Sequence, residues 1–185
     1  MSADRTIRLE ATPGPAFGLN PSATGPARLS RVVSHQMASR EQVYAKLGIT
    51  AEAAQLLETE LGTLHLAQCG LENRLWDKSK CLEATRTLQK IDESTLGQLL
   101  RKVREKSEVS TNLETELREG LRERNRLCHS FYRDHGTRMQ TDEGRDLMIA
   151  DLDEMHQKLF RAYQLAGAMS SLAVGFVLEL KAKDA

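Results

Sequence analysis

Aromatic side chains are scarce in this chain, at 4% of residues, and no stretch alternates apolar with polar positions as a half-buried strand does. Both absences weigh against a sheet. The three cysteines, Cys69, Cys81 and Cys128, are widely spaced and form no CxxC. That pattern fits neither a disulfide framework nor a zinc site, and reads as reduced thiols in a cytoplasmic protein. Net charge is absent, with 26 Lys and Arg against 26 Asp and Glu. Binding to nucleic acid would therefore have to come from a local patch. There is no Gly-rich phosphate loop, dinucleotide fingerprint, GxSxG elbow or HExxH. No cofactor and no metal are expected. An apolar run with a cleavage site is also missing near the N-terminus, so no secretory signal is expected.

What is present is leucine, alanine and charge on helical spacing. All four prolines fall between Pro13 and Pro26, among Gly, Ser, Ala and Thr. Residues 1–38 read as a flexible, disordered tail with a short turn near Val32-Val33. Residues 39–185 read as one all-α bundle with two long helices. Ser39 with Gln42 makes a capping box for a short helix that Gly48 should stop. Thr50 should cap a second helix on Ala53, Leu57, Leu61, Leu64, Leu71 and Leu75, weakened at Gly62 and Gly70. Shorter helices follow on Cys81, Ala84, Leu88 and Ile91, and on Leu96, Leu99, Leu100 and Val103. A capping box at Thr111–Glu114 opens a long helix expected to end at Gly136. Thr141 caps the last one, whose apolar positions run from Met148 to Leu180 in heptad spacing through Met169, Ala173 and Phe176.

Two features of that last helix bear on location and partners. Residues 162–178 carry no charge, and Gly167, Ser171 and Gly175 recur every four. Such a run is shorter than the roughly 20 apolar residues of a membrane span. Burial in a bundle or homodimer is the expectation, and a membrane is not expected. His35, His65 and His156 stand alone and suggest no ligand set, and Trp76 reads as a packing anchor.

The chemical anomaly is Glu123-Arg124-Asn125-Arg126-Leu127-Cys128-His129. At 100° per residue, Leu113, Leu117, Leu121, Cys128 and Phe131 form one stripe, and Arg124 falls inside it. A guanidinium there needs acceptors or an opening to water. Asn125 and His129 are four apart and can meet. Arg118, Arg122, Arg126, Arg133 and Arg138 add positive charge suited to RNA phosphates.

Arg124-Asn125-x-x-x-His129 on the late part of a long helix resembles the HEPN superfamily, whose signature is an arginine, often followed by asparagine, then a histidine after four to six residues. Thr95-Leu96-Gly97-Gln98-Leu99 and residues 123–129 together look like an uncharacterised bacterial HEPN-like family. The resemblance implies a dimeric, metal-independent endoribonuclease of bacterial defence or toxin–antitoxin systems, with an antitoxin protein as a further partner. It implies His129 as acid/base, Arg124 as phosphate stabiliser and Asn125 as orienter, with Arg122, Arg126 and Arg133 as the candidate RNA contacts. In one subgroup an antitoxin AMPylates a tyrosine two residues after the histidine, but here that position is Phe131. The alternative is a non-catalytic helical module that binds a partner protein or nucleotide.

Overall fold

The computed structural model describes residues 37–106 and 111–184. The expected turn at Val32-Val33, and all of the expected tail but Met37 and Ala38, lie outside the described residues. The described residues are helical and contain no strand. Six α-helices follow one another: α1 (Arg40–Asn73), α2 (Cys81–Asp92), α3 (Leu96–Lys106), α4 (Thr111–His129), α5 (Phe131–His135) and α6 (Asp142–Lys183). Short 3-10 turns, Lys78–Lys80 and Arg138–Gln140, precede α2 and α6.

The starting signals at Ser39 and Thr141 hold, whereas Thr111 is the first residue of α4 and not its cap. The Ser39 hydroxyl accepts from Gln42 N at 3.2 Å, and Gln42 Oε1 accepts from Ser39 N at 2.7 Å. Thr95 and Gln98 repeat the arrangement at the start of α3. Thr141 Oγ1 accepts from Gly144 N at 3.1 Å to open α6.

The expected stop at Gly48 does not occur. α1 runs through Gly48 and Thr50 because α6 lies against it along its whole length. Thr50 is fully buried inside the helix, and its hydroxyl back-bonds to Lys46 O at 2.9 Å. Gly62 and Gly70 are not breaks either. A Cβ at Gly62 would lie 3.1 Å from Ile91 Cγ2, and one at Gly70 would lie 3.6 Å from Val177 Cγ2. They let α2 and α6 approach closely. The helix ends instead at Arg74, which adopts a left-handed φ of 53°.

α1 and α6 are parallel. Ala38 N donates to Asp146 Oδ1 at one end, Ser170 Oγ to Glu60 in the middle, and Arg74 to Asp184 at the other. α2 runs back along α1, with Ile91 over Gly62. α3 returns parallel to α1, where Gln68 Nε2 donates to Val103 O at 3.4 Å and Lys106 pairs with Glu72. α4 is antiparallel to α6, and Gly120 sets their separation: a Cβ there would fall 2.5 Å from that of Ala162. Leu57, Leu61, Leu99, Val103, Leu117, Met148, Leu152, Met155 and Leu159 meet between these helices, each 2% exposed or less. Each such side chain contributes about 1.5–3 kcal/mol by leaving water.

The heptad seam of α6 is fully buried as far as Ala166, and Met169 and Ala173 still pack half-buried against the core. Beyond Ala166, Ser170 is buried and Val177 packs on Gly70, while Phe176 and Leu180 are 58% and 40% exposed. A straight helix drifts about 20° per heptad from a 3.5-residue repeat, so α1 meets a rotated face by that point.

Candidate functional site

α4 is rolled relative to the stripe read from its leucines. Its buried positions are Leu117, Gly120, Glu123 and Leu127, while Cys128 is exposed and Leu113 and Leu121 are half-buried. The close approach at Gly120 turns that side of the helix inward and carries Glu123 with it. The expected seam position of Arg124 becomes an edge position.

Glu123 is 2% exposed, so its charge needs partners. Arg122 donates to Oε1 at 3.2 Å, Arg126 to Oε2 at 3.2 Å, and Lys158 of α6 reaches Oε1 at 3.5 Å. Arg126 also grips Asp151 of α6. His135 Nε2 faces the same Asp151 oxygen at 2.7 Å, and Arg138 reaches His135 Nδ1 at 3.2 Å. Arg138 can only donate, so Nδ1 accepts and Nε2 carries the proton toward Asp151. Phe131, 1% exposed, packs on the His135 ring with centroids 4.5 Å apart. The short α5 is thereby clamped to α6.

The charges in this network are mutually stabilised. Burial pushes the Asp151 carboxyl up, but hydrogen bonds from Arg126 and His135 outweigh it and hold it below the usual aspartate value. The hydrogen bond to Asp151 raises Arg126 further still. Lys158 is raised by its bond to Glu154.

The resembled motif lies beside this network. The Arg124 side chain is 23% exposed, with NH2 3.6 Å from Glu58 of α1 and NH1 donating to Asn125 Oδ1 at 3.3 Å. His129 is exposed at the last position of α4 and makes no hydrogen bond among the described residues. The structure thus joins Asn125 to Arg124, and the expected contact between Asn125 and His129 is not made. Comparison with known proteins gives no match: no family model, no curated protein and no solved structure is similar to this chain.

The candidate RNA contacts divide. Arg126 is spent on Glu123 and Asp151, and its side chain is 34% exposed. Arg122 and Arg133 stay open, at 64% and 78%. With Arg118 they form an exposed row, Arg118, Arg122, Asn125 and His129 at spacings of four, three and four, continued by Arg133 past the helix break at Ser130.

Glu123, His135 and Asp151 were missed by the sequence reading. Glu123 sits at helical spacing between Leu117, Gly120 and Leu127, and that register was its only signal. His135 and Asp151 lie on different helices, and no spacing rule joins them. No group of three or more His, Cys, Asp or Glu among the described residues is arranged to hold a metal ion.

Proposed function

We propose that this chain is a metal-independent endoribonuclease of HEPN type, acting as a cytoplasmic homodimer in a bacterial defence or toxin–antitoxin setting. The observation that carries the reading is the exposed row on α4, where the His129 side chain has no partner among the described residues and lies among exposed arginines. A residue that exchanges a proton with a 2′-hydroxyl has to be open to the strand. His129 takes that proton, the 2′-oxygen attacks the adjacent phosphorus, and the 5′-oxygen leaves as a hydroxyl with the proton returned by His129, giving a cyclic phosphate. Arg124 neutralises the charge developing on the phosphoryl oxygens. Asn125, bonded to Arg124, orients the guanidinium in place of the imidazole. Arg122 and Arg133 hold neighbouring phosphates, and Arg126 acts through the network beneath them. With Phe131 buried and Tyr132 48% exposed, the position used for AMPylation in the resembled subgroup holds no hydroxyl.

The test compares wild type with His129→Ala on mixed cellular RNA in EDTA. Cleavage leaving cyclic-phosphate ends is expected from wild type only. Equal background cleavage by the two proteins overturns the catalytic reading.

A second reading is favoured by a separate observation: Arg124 already has two protein acceptors, Glu58 and Asn125. A non-catalytic module binding a partner protein or nucleotide would keep these contacts and show no cleavage.

The homodimer rests on α6. By length and composition α6 can cross a membrane, and only 17% of its most apolar window is buried within the chain. Leu172, Phe176 and Leu178 are 68%, 58% and 59% exposed. A bilayer is a poor home for this surface, because α1 runs beside it. Insertion would carry in Glu60, Glu72 and Arg74, each costing several kcal/mol on the order of 2.5–3.5 at the bilayer centre. A second copy meets the same uncharged face without repulsion.

A further inference from the structure

Away from α4, one cluster joins a thiol, an imidazole and an ammonium group. His65 and Cys69 are four apart on α1 and share a face. His65 Nε2 lies 3.8 Å from Cys69 Sγ. Lys106, at the end of α3, donates to the same sulfur at 3.7 Å and is anchored by Glu72. His65 is 7% exposed, and its Nδ1 makes no hydrogen bond of normal geometry. Burial lowers the proton affinity of His65, with Lys102 and Lys106 adding to it, while the nearby Gln68 amide works the other way. Nε2 is the ring atom that faces the sulfur, and so the one placed to exchange a proton with it.

Cys69 is 8% exposed. Beside it, between α1, α3 and α6, runs an open trough whose walls include Gln68, Glu72, Lys106, Met169 and Phe176. Cys81 and Cys128 are exposed and have no comparable partners among the described residues. Reactive thiols belong in electropositive surroundings with a base at hand, and buried thiols without them are inert. Lys106 and the His65 ring, both within 4 Å of the sulfur, put Cys69 in the first group.

We propose that Cys69 is a modification site, a thiol activated by His65 and Lys106 that takes small soft electrophiles, peroxides in particular, arriving past the partly exposed Lys106. In the peroxide step His65 Nε2 takes the thiol proton. The sulfur lone pair forms a bond to one peroxide oxygen, and the O–O bond breaks. The departing oxygen recovers the proton from His65. With hydrogen peroxide the products are a sulfenic acid and water.

The experiment uses the full chain with Cys81→Ser and Cys128→Ser, so that Cys69 is the one thiol left. Hydrogen peroxide is added with dimedone, and the sulfenate adduct is followed by intact-protein mass spectrometry. A matching chain that keeps only Cys81 is the control. Cys69 is expected to react at least about 10-fold faster than Cys81, as activated thiols do. His65→Gln and Lys106→Met are each expected to slow Cys69 by about 10-fold or more. Lys106 is partly exposed, so Lys106→Met decides the matter if His65→Gln fails to fold. A folded chain in which Cys69 reacts more slowly than Cys81, or a rate unchanged by Lys106→Met, overturns the proposal.

Discussion

His135 and Arg126 hold one and the same oxygen of Asp151, His135 at 2.7 Å. Residues 126 and 135 lie on either side of the helix break at Ser130, so this oxygen fixes the angle between α4 and α5. It also fixes where His129 stands.

The pH dependence of stability follows from the same contact. Asp151 is held below the roughly 3.9 of an unfolded aspartate. A depressed carboxylate contributes stability that is complete above the unfolded value and lost as pH falls through the folded one. Asp151→Asn is expected to cost about 2–4 kcal/mol at neutral pH, because Arg126 and His135 lose a charged acceptor. Urea melts from about pH 5 down to pH 2 should fall less steeply in the variant than in wild type. Parallel pH curves would show that Asp151 is not the group responsible.

Neighbouring charges on α4 are expected to differ in cost. Glu123 is buried among two arginines and a lysine. Glu123→Ala removes the acceptor they share, although Arg126 keeps Asp151 and Lys158 keeps Glu154, and is expected to cost about 1–3 kcal/mol. Arg124 stands at the edge with its carboxylate partner at 3.6 Å. Arg124→Ala is expected to cost less than about 1 kcal/mol. Denaturant titrations of the two variants read the roll of α4 directly, and equal losses would contradict it.

Two glycines should respond with opposite signs. Gly120→Ala forces a methyl against Ala162 and Leu57, at an expected cost of about 1–3 kcal/mol. Gly48 lies inside α1 with nothing within 4 Å of the added carbon. Gly48→Ala is expected to stabilise by about 0.5–1 kcal/mol. Thermal melts by circular dichroism would show one midpoint falling and the other rising.

Light scattering at micromolar concentration is expected to give twice the chain mass of 20.7 kDa. Leu172→Asp with Phe176→Asp should give a monomer of unchanged helicity, since both side chains project outward. Wild type that remains monomeric on concentration would overturn the homodimer.

The helical class, the caps at Ser39 and Thr141, and the leucine core were legible because each is written in local spacing. Gly48 and Gly70 misled for a physical reason. A glycine weakens an isolated helix, but here each lies in a helix supported along its length by α6, and tertiary packing outweighs the propensity. The roll of α4 was illegible because the residue that sets it, Gly120, has no side chain to count. The polar network was illegible because it joins Glu123 and Arg126 to Asp151 and Lys158 across two helices. The motif residues themselves were visible, but not that Asn125 would turn to Arg124.

The parallel pairing of α1 with α6 has a consequence for how the chain is made. Its contacts join residues between 102 and 110 positions apart. The hydrophobic side of α1 therefore waits for nearly the whole chain to be synthesised before its main partner exists. α3 and α4 are close in sequence and can pair early, whereas the largest interface closes last and over the longest loop. Sequence-distant contacts of this kind slow folding, and they expose α1 on the nascent chain to any chaperone or second copy that reaches it first.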